Sequence, residues 1–297
     1  MLNKNQKEVQ TGSYRNNCDL CGAGNEYFET LFEKSGYHIV KCGNCGLYFT
    51  YEIPSKEELK NFYGKSYYEG EIYQSYSLLE DEKIRYYLRN LMYCENFSGG
   101  KKGNILEIGS ATGIFLLCAE FLGYNATGVE ISDYAADAAK KKNANVIKMD
   151  LEDLVNNKVF EKEYFDFVFL WDCIEHLTSP SRWLKYLNFC TKTGGLIVLN
   201  TLNVSSPTVK YLKNKWSQYL PPGHLFYFSL NTLKKYLYNS GFSVLKLKTD
   251  GPLFYDDLTG KSYLLGKLFS RGLVQKNTNK LNLGYAQFII AKKTRIA

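Results

Sequence analysis

A short turn of small residues lies between an apolar strand and an apolar helix near residue 110. The strand is Asn104-Ile-Leu-Glu-Ile108, the turn is Gly109-Ser-Ala-Thr-Gly113, and a helix pattern begins at Ile114. Such a turn lets backbone approach a ligand closely and directs free N–H groups at it. Glu130 follows 21 residues after Gly109, at the end of the next predicted strand. An acidic residue at that distance can accept hydrogen bonds from ribose hydroxyls, so the spacing predicts a nucleoside-containing ligand.

The residues around this turn narrow the kind of nucleoside. A dinucleotide fingerprint needs a third glycine at the position of Ile114, and a phosphate loop needs Lys-Ser or Lys-Thr after Gly113. Neither is present, and no Lys or Arg lies between Gly103 and Lys140. The turn contains the acidic Glu107 instead. These features favour a cationic ligand without a phosphate.

The segment Glu107–Gly113 resembles motif I of the class I S-adenosylmethionine-dependent methyltransferases, whose cofactor carries an ammonium and a sulfonium group. Asp150-Leu151 matches the position that contacts adenine in that family, and Phe165–Leu177 resembles motif IV. Thr193–Asn200 resembles the turn and strand five, so the match runs from about residue 80 to the C-terminus. The resemblance implies S-adenosylmethionine as cofactor, bound by Glu107, Gly109, Ala111, Gly113, Glu130, Ile131, Asp150, Leu151, Trp171 and Asp172. Ala111 replaces the usual central glycine.

The residues that follow strand four are the candidates for catalysis. Ligands bind outside the carboxyl ends of the strands in such sheets, so residues after Leu170 face the site. His176 is the predicted general base because the unperturbed pKa of imidazole lies near neutrality. Glu175 is predicted either to orient His176 or to bind a substrate hydroxyl. His224, after Pro-Pro-Gly, is a second candidate base, with a loop-anchoring role as the alternative.

Four of the eight cysteines form two close pairs near the N-terminus. Cys18-Asp-Leu-Cys21 and Cys42-Gly-Asn-Cys45 are separated by 20 residues, a spacing that fits four thiolates around a tetrahedral Zn²⁺. Glu26–Phe32 and Tyr37–Lys41 alternate like a hairpin, and Leu47–Tyr51 follows as a third strand, which predicts a zinc ribbon. Four protein ligands leave no open position, so the metal would be structural. Disulfides are the alternative, which a reducing cytosol disfavours.

The remaining cysteines are isolated in the sequence. Cys94, Cys118 and Cys190 are predicted to be buried as small apolar residues. Cys173 lies beside the candidate catalytic pair.

The chain divides into three predicted parts. Residues 1–55 form the zinc ribbon, residues 56–100 form a tyrosine-rich linker and a helix, and residues 101–297 form the cofactor-binding domain. The linker is predicted to cap the cofactor, with packing of the ribbon onto the core as the alternative. A segment from Leu258 to Leu273 is predicted as a C-terminal substrate lid. Strands alternate with helices from 101 to 249, which indicates an α/β fold with a mostly parallel sheet. The resemblance implies a Rossmann-like sheet of seven strands with the last antiparallel.

Two helices and two strands are expected beyond strand five. A helix is predicted over Ser205–Tyr219, and Ser229 is expected to cap another that ends at Gly241. Phe242–Thr249 and Tyr285–Lys292 are predicted as the last two strands.

Composition restricts the cellular setting and the partners. The 297 residues contain no run of about 18 apolar residues, which predicts a cytoplasmic protein without a membrane partner. The net charge of +7 permits an acidic substrate, such as a nucleotide-linked or phosphorylated one, without requiring it.

The leading functional hypothesis is methyl transfer to O, N or C of a small molecule, such as a sugar, a glycan or a secondary-metabolite scaffold. An rRNA or tRNA methyltransferase that uses its ribbon to bind RNA is the alternative. Residues 16–51 hold only Lys34 and Lys41 as fixed cations, too few for several phosphate contacts. Zinc-ribbon enzymes that methylate carbon in nucleotide-linked sugars share the ribbon and the Glu-His pair. They are expected to carry a tyrosine where this chain has Cys173, and a second Rossmann-like half, which is not evident here. A scaffold with a degenerate core is a third possibility, against which the intact Glu107 and Glu130 argue.

Overall fold

The computed structural model describes residues 11–69, 80–250 and 282–297. The strands are β1 (Thr11–Tyr14), β2 (Phe28–Lys34), β3 (Tyr37–Cys42), β4 (Tyr48–Thr50), β5 (Glu52–Pro54), β6 (Asn104–Ile108), β7 (Asn125–Glu130), β8 (Val146–Lys148), β9 (Phe165–Trp171), β10 (Thr191–Leu202), β11 (Phe226–Tyr227), β12 (Phe242–Asp250) and β13 (Ala286–Lys293). The helices are α1 (Lys56–Phe62), α2 (Lys65–Glu69), α3 (Glu80–Ser98), α4 (Ile114–Phe121), α5 (Asp133–Lys141), α6 (Leu151–Asn156), α7 (Pro180–Cys190), α8 (Pro207–Leu212) and α9 (Leu230–Asn239). None of these helices is long and apolar enough to cross a membrane.

A seven-stranded sheet forms the centre of the molecule, in the order β12-β13-β10-β9-β6-β7-β8. The pairs from β10 to β8 are parallel, whereas β13 pairs antiparallel with both β10 and β12. The predicted Rossmann-like α/β sheet, with its last strand antiparallel, is therefore confirmed. The turn at the end of β6 and the residues after β9 lie at the same edge of this sheet, because β6 and β9 are parallel neighbours.

The central strand β9 is apolar along its whole length because both faces of the sheet are covered. Phe167, Phe169 and Trp171 pack with residues of α3 and α4 on one face. Val168 and Leu170 pack with residues of α7 and α9 on the other. The period of two along β9 therefore divides its side chains between two hydrophobic cores, which hold the residues beyond Trp171 at the sheet edge.

The N-terminal hairpin and its third strand form a second sheet, which the main domain completes. Its order is β11-β4-β3-β2, and the two-residue strand β11 comes from the far side of the sequence. The Cys18 and Leu47 side chains share a core with Trp183 of α7 and Tyr236 of α9. The ribbon is thus packed into the same hydrophobic core as one face of the large sheet.

The first cysteine knuckle caps a helix of the main domain. Asp19 accepts hydrogen bonds from the Ser181 N–H at 2.9 Å, from the Ser179 hydroxyl at 2.6 Å and from the Tyr236 hydroxyl at 3.0 Å. Ser179 makes no side-chain cap of its own, so the ribbon supplies the carboxylate that the N-terminus of α7 favours.

Most of the predicted elements agree with the structure, and one differs. The helix expected over Ser205–Tyr219 ends at Leu212, because Lys213 adopts a left-handed φ of 52° that cannot continue an α-helix. A short 3-10 turn, Lys213–Lys215, follows. Cys94, Cys118 and Cys190 are buried, as expected. The proposed lid over Leu258–Leu273 lies outside the described residues, as do Tyr73 and Tyr76 of the linker.

Candidate active site

The turn after β6 has the tight backbone that the sequence predicts. Gly109 and Gly113 both have positive φ, at 73° and 77°, and Ala111 lies at 45°. A Cβ atom on Gly113 would lie 2.8 Å from the Ala144 side chain and 3.0 Å from that of Ala139. Glycine is therefore required there for α4 to begin so close to its neighbours, whereas Ala111 adopts a conformation that L-residues rarely choose.

Glu130 ties this turn to the end of the next strand. Its carboxylate, only 4% exposed, accepts the Ala111 N–H and the Ser132 N–H, each at 2.8 Å. Burial raises the pKa of Glu130, although these backbone hydrogen bonds and the Tyr68 hydroxyl oppose the shift. Each carboxylate oxygen keeps a second lone pair, so the predicted role in ribose binding stays compatible with this arrangement.

Glu107 is a buried acid with an unfilled requirement. It is 2% exposed, and its Oε2 accepts no hydrogen bond from the described residues. Burial, and then the nearby charge of Glu130, raise the pKa of Glu107 well above its usual value. A cationic ligand beside this carboxyl would provide the missing partner.

Three further predicted cofactor residues lie along the same edge. Ile131 follows β7 and is 37% exposed, which is unusual for isoleucine. Asp150 caps α6 by accepting the Glu152 N–H at 2.8 Å, and its other oxygen lies 3.5 Å from the Lys56 ammonium. Leu151 is the first residue of α6. The structure therefore gives Asp150 a helix-capping role that the sequence comparison did not include.

Trp171 and Asp172 end the central strand at the cleft. The Trp171 ring packs on Phe169 and Phe115, and its Nε1 has no hydrogen-bond partner among the described residues. Asp172 has a positive φ of 46° and exchanges two hydrogen bonds with Asn200, at 2.8 and 2.9 Å. Asn200 was not among the predicted site residues, although a polar residue near the end of an apolar strand is a usable signal.

The structure brings the two candidate bases, His176 and His224, into contact. Their ring centroids are 4.8 Å apart, although 47 residues separate them in the sequence. His176 Nδ1 lies 2.8 Å from the Gly223 carbonyl oxygen, and His224 Nδ1 lies 2.7 Å from the Gln218 carbonyl oxygen. Because a carbonyl only accepts, each Nδ1 carries the hydrogen. Each Nε2 is therefore left with the lone pair that a general base needs.

Burial keeps both imidazoles neutral. It lowers the pKa of His176 to about 4, with the Gly223 and Asp172 carbonyls opposing the shift. Burial, followed by the neighbouring His176, lowers the pKa of His224 to about 3. Neither ring titrates near neutrality, in contrast to the unperturbed value used for His176 in the sequence argument.

Glu175 lies in the same turn, but the hydrogen bonds of the described residues do not join its carboxyl to His176. Its Oε2 has no partner among those residues, and the side chain is 2% exposed. Burial first, and then the Asp172 charge, raise the pKa of Glu175 to about 8. His176 is oriented instead by Gly223 and by the Tyr63 hydroxyl, which lies 2.8 Å from Nδ1.

Tyr63 connects the tyrosine-rich linker to both halves of the site. Its hydroxyl contacts His176, and its carbonyl accepts the Ser132 hydroxyl at 2.8 Å. Two residues after α2 begins, Tyr67 contacts the Tyr63 ring, and Tyr68 stacks on Tyr134 at 5.8 Å. No sequence pattern assigned Tyr63 to the site, because its partners lie more than 60 residues away.

Comparison with known families decides the identity of this arrangement. The pattern of the family described as "Methyltransferase domain" matches residues 79–247, more than half of the chain. The chain belongs to this methyltransferase family. With the sheet described above, it is a class I S-adenosylmethionine-dependent methyltransferase.

Individual relatives of this methyltransferase are more distant. A ubiquinone biosynthesis O-methyltransferase of Rhodopseudomonas palustris is 32% identical over 130 residues, covering 43% of this chain and 49% of the relative. The chain thus spans about half the length of the curated relatives it matches. A SAM-dependent methyltransferase from Archaeoglobus fulgidus is 25% identical, with a TM-score of 0.52 over 73% of this chain and all of the other. The magnesium protoporphyrin IX methyltransferase of Synechocystis, with bound SAH, shares the fold at 13% identity, with a TM-score of 0.55 over 80% of this chain and 100% of the other.

The residues of this methyltransferase fit its cofactor. The unpartnered Oε2 of Glu107 lies beneath the turn, where a ligand ammonium would satisfy it. The carboxylate of Glu130 retains acceptor capacity for hydroxyls. Ile131 offers an exposed apolar surface beside it.

The four ribbon cysteines fit a tetrahedral metal. Their sulfur atoms all lie within 4.8 Å of one another, with Cys18 and Cys45 at 3.5 Å and Cys21 and Cys42 at 3.7 Å. A Zn²⁺ ion with Zn–S bonds of about 2.3 Å separates its sulfurs by about 3.8 Å. The cluster therefore matches the predicted donor set in number, type and spacing.

Proposed function

We propose that this methyltransferase transfers the methyl group of S-adenosylmethionine to a hydroxyl of a small molecule, such as a sugar, a glycan or a secondary-metabolite scaffold. The carrying observation is the pair of buried neutral imidazoles, His176 and His224, each with its Nδ1 fixed by a carbonyl. Oxygen is the favoured acceptor atom because a hydroxyl has a proton to lose, and because the curated relatives are named O-methyltransferases.

In this reaction the acceptor oxygen attacks the methyl carbon while the carbon–sulfur bond breaks. The products are a methyl ether and S-adenosylhomocysteine, and the hydroxyl proton passes to a histidine Nε2. His176 is the preferred base, because Tyr63 and Gly223 both orient its ring. Glu175 is the candidate to bind a second acceptor hydroxyl, since its Oε2 has no partner within the described chain.

We assign the tyrosine-rich linker a capping role over this reaction. Tyr63 lies against His176, and Tyr68 lies beside Glu130. A cover over both the base and the ribose acid would exclude water from the transfer step. This arrangement favours the capping hypothesis over simple packing of the ribbon.

An acidic portion of the acceptor has a candidate position nearby. A cleft of about 370 Å³ lies between the ribbon and α8, with Tyr48 and Tyr219 in its wall and Lys210 and Lys213 at its rim. Tyr219 directly follows Gln218, whose carbonyl holds His224. Two lysines beside aromatic rings suit a phosphorylated or nucleotide-linked substituent.

The ribbon is better suited to a structural role than to holding RNA. Its first knuckle is buried against α7 through Asp19, and Cys18 and Leu20 belong to the shared core. Surfaces that grip RNA expose several cations. We propose that Zn²⁺ stabilises the ribbon as part of the enzyme core.

The test is transfer of label from S-[methyl-³H]adenosylmethionine. Pools of phenolic, sugar and nucleotide-sugar acceptors are compared with bulk RNA, and the wild type is compared with His176→Ala and the control His38→Ala. Label is expected in a small-molecule pool, with turnover about 100-fold lower in His176→Ala and unchanged in His38→Ala. Transfer only to RNA would overturn the acceptor class, and unchanged turnover in His176→Ala would overturn the base.

A further inference from the structure

The loop that carries His224 is held by the ribbon. The His224 carbonyl accepts the Thr50 hydroxyl at 3.1 Å and the Tyr227 hydroxyl at 2.9 Å. The Thr50 N–H donates to the Leu225 carbonyl at 2.9 Å. Strand β4 therefore bonds the backbone on both sides of the His224–Leu225 peptide.

This contact continues into a regular strand pair. Phe226 pairs with Phe49, and Tyr227 pairs with Tyr48. Because β11 has only these two residues, β4 is the neighbour that makes it a strand. The ring stack of Phe49 on Phe226, at 6.2 Å between centroids, adds side-chain contact to the pairing.

The same loop is bonded on its other side to the turn of the second histidine. The Leu225 N–H donates to the Glu175 carbonyl at 2.8 Å. The His224 backbone thus lies between the ribbon strand and the Glu175–His176 turn. A shift of β4 would change the distance between the two imidazoles.

The ribbon strand is in turn fixed by the cysteine cluster. Thr50 is fully buried and lies five residues after Cys45. The Cys42 N–H donates to the Leu47 carbonyl at 2.8 Å, which joins the second knuckle to the start of β4. Arg15, three residues before Cys18, donates to the Thr50 carbonyl at 3.1 Å.

From these contacts we infer that the ribbon is a positioning device for the base pair, in which Thr50 holds His224 against His176 and the metal-bound cysteines hold Thr50. This inference rests on the proposed function of the histidines. It assigns the ribbon an effect on the catalytic step that is separate from cofactor binding, since Glu107 and Glu130 lie on β6 and β7.

The substitution Thr50→Val tests the inference, because valine keeps the shape and removes the hydroxyl donor. Thr191→Val is the matched control: Thr191 is also fully buried and donates to a carbonyl, that of Leu187, within α7 and away from the site. We expect kcat to fall about 10-fold in Thr50→Val, and about 100-fold when Tyr227→Phe is added, with the Kd for S-adenosylmethionine unchanged. Thr191→Val is expected to keep the wild-type kcat.

A second readout does not depend on turnover. The chain has three histidines, so nitrogen-15 labelling resolves each imidazole, with His38→Asn and His224→Asn giving the assignments. Thr50→Val, and removal of zinc with a chelator, should each shift the His224 resonances and leave cofactor affinity intact.

The outcomes separate this inference from the proposed function. A wild type that transfers no methyl group but whose His224 resonances respond to Thr50→Val contradicts the function alone. An active wild type in which Thr50→Val and zinc removal change neither kcat nor the His224 resonances overturns the inference. Equal losses of kcat in Thr50→Val and Thr191→Val would also overturn it, because a general loss of stability would then explain the effect.

Discussion

The buried histidine pair should make the folded enzyme sensitive to mild acid. In the unfolded chain an imidazole binds its proton near pH 6.5, whereas burial lowers the pKa of His176 to about 4 and that of His224 to about 3 in the folded protein. Between these values the unfolded state holds more protons than the native state. The free energy of unfolding is therefore highest above pH 7 and decreases as the pH falls.

The magnitude follows from the size of each shift. At about 1.4 kcal/mol per pKa unit, the full penalty is about 3 kcal/mol for His176 and about 5 kcal/mol for His224. Only part of this is expressed in mild acid. From pH 7 to pH 5, an imidazole that titrates at 6.5 only when unfolded removes about 2 kcal/mol.

The substitution His224→Asn isolates one histidine. An asparagine amide can still donate to the Gln218 carbonyl, but it does not titrate. We expect the variant to be less stable than the wild type at pH 8, and the gap to narrow by about 2 kcal/mol by pH 5. Urea unfolding of the zinc-loaded proteins at half-unit intervals, followed by both circular dichroism and tryptophan fluorescence, measures this gap.

Comparison with the variant cancels the titration of groups that both proteins share, including the cysteines and carboxyls. Between pH 8 and 9 the gap should stay constant, because both imidazoles are neutral in both states. A gap that is also constant from pH 8 to pH 5 would show that His224 is accessible to protons in the folded enzyme. The neutral, carbonyl-fixed base pair would then be wrong.

Two further predictions concern the buried acids. Glu107→Gln should weaken binding of S-adenosylmethionine about 10-fold, measured by calorimetry, because the amide cannot balance a ligand cation; it should also raise the melting temperature, because an uncompensated buried acid is removed. Unchanged affinity would exclude Glu107 from the cofactor site. Since the pKa of Glu175 is raised to about 8, the folded state binds its proton more tightly than the unfolded state, and stability should decrease by about 5 kcal/mol as the pH rises from about 4.5 to 8. Glu175→Gln should abolish this decrease and remove an inflection near pH 8 from the kcat/KM profile; a wild-type profile without that inflection would contradict the shifted pKa.

The cofactor side of the site was predictable because its residues are close in sequence. Strand, turn and helix follow one another from Asn104 to Ile114, and Glu130 ends the next strand, so local patterns placed them correctly. The ribbon cysteines were predictable for the same reason, since two knuckles at fixed spacing state their own geometry. Asn200 was within reach, as a polar residue near the end of a buried strand.

The acceptor side could not be predicted in the same way. The contact between His176 and His224 depends on a loop without regular structure, and Tyr63 reaches His176 from 113 residues away. The two-residue strand β11 carries no periodic pattern that would pair it with β4. The low pKa values of the histidines arise from burial, which is a property of the assembled fold.

The two sides of the site therefore depend on different parts of the chain. The cofactor side is built from β6, β7 and the turn between β6 and α4, all within one continuous stretch of the parallel sheet. The base pair depends on carbonyls of Gln218 and Gly223, in a loop that has no helix or long strand of its own to hold it. Such a loop needs an outside support to keep two imidazoles in fixed orientation, and β4 of the ribbon is the element bonded to it. Changes in the ribbon can thus alter the geometry toward the acceptor while the cofactor turn stays as it is.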